Sequence, residues 1–120
     1  MGYMANTLIV LVACLHALFL VLEMFFWDRP AGLKLFGHDR DFARASKVLA
    51  MNQGLYNGFL AAGLVWGLYL GEAGYVVKLF FLGCVVIAGV FGGLTASRSI
   101  FLVQALPAAI AGIALILSNG

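Results

Sequence analysis

The chain has 120 residues, 64% of them hydrophobic and 10% charged, with a mean hydropathy of +1.07. A soluble domain carries roughly 45–50% apolar and about 25% charged residues, so this composition excludes an ordinary soluble fold and predicts an integral membrane protein. The formal charge of +2 is too small to argue for nucleic acid, which leaves the lipid bilayer as the expected partner.

At roughly 20 residues per span, the length accommodates one domain of four transmembrane helices and no soluble domain. The predicted fold is an all-α four-helix bundle with spans at residues 4–27, 48–70, 75–94 and 100–117. No Lys or Arg precedes the first apolar run, which argues against a cleaved signal peptide.

The first span carries two ionisable groups, His16 and Glu23. Seven residues apart, they fall within about 20° on the helix surface and ~10 Å along it, so one face holds both. The span closes with Phe25, Phe26 and Trp27, aromatics suited to the interface. Pro30 then stops the helix, because it cannot supply the next backbone hydrogen bond.

Residues 28–47 form the long connection. Its apolar stretch at 32–37 suits a short interfacial segment with Lys34 outward, and His38 is read as solvated. Asp39 or Asp41 can cap the second long helix, which starts before the bilayer with Arg44 and Lys47 in its first turns.

That helix opens its span with the polar run Asn52, Gln53, Gly54, Leu55, Tyr56, Asn57, Gly58. Hydrocarbon satisfies none of the donors and acceptors of a carboxamide, so this run must face other helices, a cavity or water. Gly54 and Gly58, followed by Ala61 and Ala62, make small-residue steps that let another helix approach. Two readings stand for the run: hydrogen-bonding glue between helices, or the wall of a ligand pocket.

The segment 71–74 reads as a tight turn. The third span offers Ala88, Gly89, Gly92 and Gly93 for packing, a short turn at 95–99 follows, and the fourth span has Gln104 one turn in and a kink at Pro107. Cys14 and Cys84 sit in apolar runs with no CxxC spacing and read as small buried hydrophobes.

Six basic residues flank the first and third connections (Arg29, Lys34, Arg40, Arg44, Lys47 and Arg98), against Lys78 alone near the second. This positive-inside bias predicts cytoplasmic first and third connections, with both termini outside. Glu23, Asn52, Gln53, Asn57 and Gln104 then fall at similar depth in the cytoplasmic half. They should gather around one cavity, with Tyr56 nearby and His16 at its floor.

The pieces His16, Glu23-Met24, Trp27 and Pro30, then Lys47-Val48-Leu49-Ala50 and the run from Asn52 to Gly58, form a recognisable pattern. Gly83-Cys84, Phe91-Gly92 and Leu102-Val103-Gln104-Ala105-Leu106-Pro107-Ala108 continue it. Across nearly its whole length the chain resembles a family of small bacterial membrane proteins known as domain of unknown function thirteen-oh-four. The resemblance implies a four-helix protein of the bacterial inner membrane and supplies no activity.

Glu23 is the sharpest single residue, since a carboxylate at the centre of a span costs about 2.5–3.5 kcal/mol on insertion scales. It reads either as a ligand, proton or ion site or as a structural anchor. A zinc site needs three or four ligands, and His16, Glu23 and Cys14 all come from one helix, so His16 reads as a helix-to-helix hydrogen bond and no metal is expected. No GxSxG, P-loop, HExxH or dinucleotide motif is present, so no cofactor is called for.

Three functions compete. The favoured one is binding or transport of a small lipophilic or cationic ligand through a polar pocket open to the cytoplasm, with Glu23, His16, Asn52, Gln53, Tyr56, Asn57 and Gln104 as its residues; a homodimer would enlarge the enclosed volume. The second is a membrane enzyme acting on a lipophilic substrate with Glu23 and His16 as acid and base. The third is a structural or partner-binding membrane protein.

Overall fold

The computed structural model describes residues 2–119. Among these, five α-helices follow one another: α1 (Gly2–Phe25), α2 (Pro30–Phe36), α3 (Arg40–Tyr69), α4 (Tyr75–Thr95) and α5 (Leu106–Asn119). A 3-10 turn at Gly71–Gly74 leads into α4, and a π-helical turn at Phe101–Ala105 leads into α5. No strand occurs among the described residues.

The ends of these helices follow from local chemistry. Pro30 opens α2, where its fixed φ suits the first helical turn and its missing N–H is not needed. Gly37 closes α2 at φ 67, a left-handed conformation that side chains disfavour, and its N–H returns to the Leu33 carbonyl. The segment read from sequence as interfacial is therefore a seven-residue helix that begins two residues earlier. Asp39, not Asp41, caps α3: its Oδ1 accepts the Phe42 N–H at 2.8 Å. Gly71, at φ 63, makes the tight turn after α3.

The kink expected at Pro107 takes the form of the π turn just before it, closed by the Leu106 N–H on the Phe101 carbonyl. Proline both clashes with the carbonyl four residues back and cannot bond to it, and one wider turn relieves that conflict.

The chain divides into two compact units, residues 1–14 with 60–120, and residues 15–59. The first has an apolar core of Ala5, Ile9, Val12, Ala13, Leu64, Leu82, Val85, Ala108, Ala111 and Leu115. Close approach there depends on glycine: a Cβ on Gly89 would lie 2.5 Å from the Ala105 backbone nitrogen, and one on Gly93 would meet the Phe101 ring. Ala88 is exposed instead of packed, because it lies about 100° from Gly89 around α4. In the second unit the buried hydrophobic residues are Ala43 and Ala50.

Three segments are long and apolar enough to cross a membrane: Gly2–Phe25, Gly71–Thr95 and Phe101–Ser118. α3 has the length, but its early carboxamides dilute its hydropathy. Val76, Phe80, Ile87, Phe91 and Leu94 leave a stripe of large apolar side chains exposed along α4. Water would penalise such a surface and lipid would not, which together with the three segments suggests a membrane protein.

Candidate functional site

The unit of residues 15–59 is organised around the Glu23 carboxylate. Glu23 lies on the last turns of α1 and is 4% exposed. Gln53 and Asn57 stand four residues apart on α3, hence on one face. Gln53 donates from Nε2 to Glu23 Oε2 at 2.7 Å, and Asn57 donates from Nδ2 to Glu23 Oε1 at 2.5 Å. Each carboxylate oxygen thus has its own amide donor.

Gly54 makes this geometry attainable. A Cβ at that position would fall 2.8 Å from Met24 Cγ, 3.1 Å from Glu23 Cβ and 3.2 Å from the Leu20 carbonyl oxygen. Without one, the α3 backbone comes close enough for a short glutamate side chain to reach both amides. Gly58 one turn later faces the Leu20 side chain.

Of the seven candidate residues, Glu23, Gln53 and Asn57 come together. Asn52 and Tyr56 do not, because the helix turns about 100° per residue and carries them about 140° and 100° away from Asn57. Asn52 is exposed, and Tyr56 is exposed with its ring 6.1 Å from that of Phe59. His16 is fully buried two turns before Glu23 and stands edge-on to Phe19, with ring centroids 5.5 Å apart. Gln104 lies in the π turn, in the other unit, and is partly buried. Ala61 is buried as expected, but Ala62 is exposed, being rotated off the packed face.

Around the connection between α1 and α3 lies a second polar arrangement, which the sequence reading did not foresee. His38 is partly buried, not solvated: its ring lies 4.4 Å from that of Trp27, 5.9 Å from Phe36 and 5.4 Å from Phe42. Its Nε2 is 3.2 Å from the Trp27 carbonyl, the Trp27 indole donates to Ser46 Oγ at 3.0 Å, and Lys47 pairs with Asp28 at 3.2 Å. Trp27, Phe36 and His38 are partly buried and Phe42 is exposed, so ring-to-ring contact supplements the few buried apolar residues of this unit.

The other unit holds a polar residue that sequence reasoning passed over. Lys78 is 5% exposed on α4, its stem lies against Gly67, and its ammonium donates to Asn6 Oδ1 at 3.2 Å. A lysine four residues into an apolar helix was the available signal, but it reads equally well as an interfacial charge beside Glu72. Cys14 is exposed and Cys84 partly so, and both are free, so neither is the buried hydrophobe expected: the faces they occupy lie off the core. Among the described residues no three His, Cys, Asp or Glu side chains gather as a metal ion would require.

A family model described as "Protein of unknown function (DUF1304)" matches residues 10–116. The chain is similar to the Uncharacterized protein YpaA of Lactococcus lactis subsp. lactis (strain IL1403), with 28% identity over 96 residues that cover 78% of this chain and 81% of that protein. No solved structure matches it.

Proposed function

The chain belongs to this family of proteins of unknown function, and we propose that it is a four-helix protein of the bacterial inner membrane that binds or transports a small lipophilic or cationic ligand at the Glu23 carboxylate. α1, α3, α4 and α5 are its four crossings, and the charge bias places both termini outside. The observation that carries this reading is the state of Glu23: buried, held by two neutral amides, and without a cationic partner among the described residues. A carboxylate in such surroundings is balanced by a proton or by a cation from outside the chain. Its two oxygens can accept about four hydrogen bonds, so two amides leave acceptor capacity for a ligand's donors.

The test is thermal stabilisation of the purified full chain by a panel of quinones, lipids and organic cations, with wild type beside Glu23→Gln. At least one compound class should raise the melting temperature of wild type and not of the variant. A variant that kept every ligand-dependent and pH-dependent response would remove the site. A reporter fused after Gly120 that worked only in the cytoplasm would reverse the topology.

A structural anchor is the second reading. It is favoured by both oxygens being engaged within the chain and by the tight seat of Gly54 against Glu23. On that reading Glu23→Gln changes stability alone.

A further inference from the structure

Arg40, Arg44 and Lys47 stand at i, i+4 and i+7 of α3, so they share one face over about 10 Å of helix. Arg29, which precedes Pro30, reaches the same place from the connection between α1 and α2. With Asp28 and Pro30 they line an open recess of about 320 Å³. Four cations therefore surround one carboxylate, and that carboxylate is already held by Lys47. Asp39 and Asp41 are near in sequence but do not line the recess, and Asp39 is committed to the cap of α3. The chain itself thus leaves three guanidinium groups at one small cavity without an anion to match them.

Guanidinium groups present paired donors in a planar fork that fits two oxygens of a phosphate, and several of them converging is the usual way proteins hold that group. We infer that this recess binds a phosphate group, the chemistry shared by an acidic phospholipid headgroup and by free phosphate. Basic pockets beside membrane-crossing helices take lipid headgroups in this manner. The site is separate from the Glu23 clasp, and Glu23 takes no part in it.

The bland alternative is that these residues only obey the positive-inside bias and attract an anionic surface diffusely. Diffuse attraction counts charges and ignores their positions, with roughly a fivefold loss of binding per charge removed. Lys34 provides the control, since it is exposed in the same unit but does not line the recess.

The full chain in neutral detergent is titrated at constant ionic strength with inorganic phosphate, with short-chain phosphatidylglycerol and with short-chain phosphatidylcholine. The readouts are melting temperature and tryptophan fluorescence, the latter in a Trp66→Phe background that leaves Trp27 as the one indole. Phosphatidylglycerol or phosphate should bind better than phosphatidylcholine or chloride. Arg44→Gln and Arg40→Gln should each weaken that binding at least roughly fivefold, and Lys34→Gln should leave it unchanged. Binding of the lipid alone identifies a headgroup site, and binding of inorganic phosphate identifies a free-phosphate site; either supports the inference. Equal losses in Arg44→Gln and Lys34→Gln, or no binding of either probe, overturn it. No Glu23 variant enters this titration, so failure of the ligand reading at Glu23 and failure of this site remain distinguishable.

Discussion

The two compact units bury ionic groups to nearly the same extent and treat them differently. Glu23, 4% exposed, is met by two donors from one face of α3, whereas Lys78, 5% exposed, is met by the single oxygen of Asn6. Side-chain length explains the contrast. A lysine buries four methylenes and still carries its ammonium to a partner at the edge, and Asn6 is exposed. A glutamate keeps its charge where the backbone puts it, so the surroundings must supply the donors. The units also differ in what holds them: an apolar core in residues 1–14 and 60–120, and amides and rings in residues 15–59.

The largest effect should come from the apolar unit. Gly89→Ala places a Cβ against the Ala105 backbone, which cannot rotate away as a side chain can, and should cost about 3 kcal/mol. Gly58→Ala meets only the flexible end of Leu20 and should cost well under about 1 kcal/mol. Melting in detergent checks both. Equal losses would mean that backbone contact is not what sets the packing.

Next comes the clasp. Asn57→Leu leaves one carboxylate oxygen of Glu23 without its amide and should cost about 2 kcal/mol, in the range of hydrogen bonds to charged groups. Lys78→Met keeps the stem, removes the ammonium and leaves only an exposed amide behind, so it should stay within about 1 kcal/mol. If the two variants melt alike, the contrast between the two buried charges has no energetic content.

Much of this was legible. Three helices long and apolar enough to cross a membrane, the turn at 71–74 and the Asp39 cap follow from hydropathy and from single residues with fixed backbone roles. By contrast, α1 already ends at Phe25, and Pro30 opens α2 instead of stopping α1. The juxtaposition of Glu23 with Gln53 and Asn57 follows from polar groups that hydrocarbon cannot satisfy. The rotation of α3 was not legible: Asn52 and Gln53 are equivalent until a packed glycine fixes which face meets α1. α2 is too short to show a periodicity, although Pro30 and Gly37 mark its ends. His38 looked solvated because it lies in a charged connection, and the loop path that brings Trp27, eleven residues away, onto its ring cannot be read from the sequence. The bond between Lys78 and Asn6 joins residues 72 positions apart, and nothing in either neighbourhood announces it.

The smallest effect should come from the exposed ion pair, and it sharpens the comparison by showing what burial adds. Lys47 and Asp28 lie 3.2 Å apart with side chains 47% and 25% exposed, so water and salt screen them. The hydrogen bond from Lys47 holds the Asp28 carboxyl below its ordinary value of 3.8; desolvation opposes this, and the charge of Lys47, a backbone hydrogen bond and the charge of Arg29 add to it. Because the folded-state value is the lower one, the pair's contribution is present above pH 3.8 and is lost as pH falls through the lowered value. Asp28→Asn should therefore leave the melting temperature at neutral pH nearly unchanged and should erase whatever small difference remains in acid. The same change removes the only carboxylate from the Arg29–Arg40–Arg44 recess, so phosphate binding there should tighten while stability stays level. A large loss of stability in Asp28→Asn would mean that this unit depends on its exposed ion pair as much as on its buried clasp.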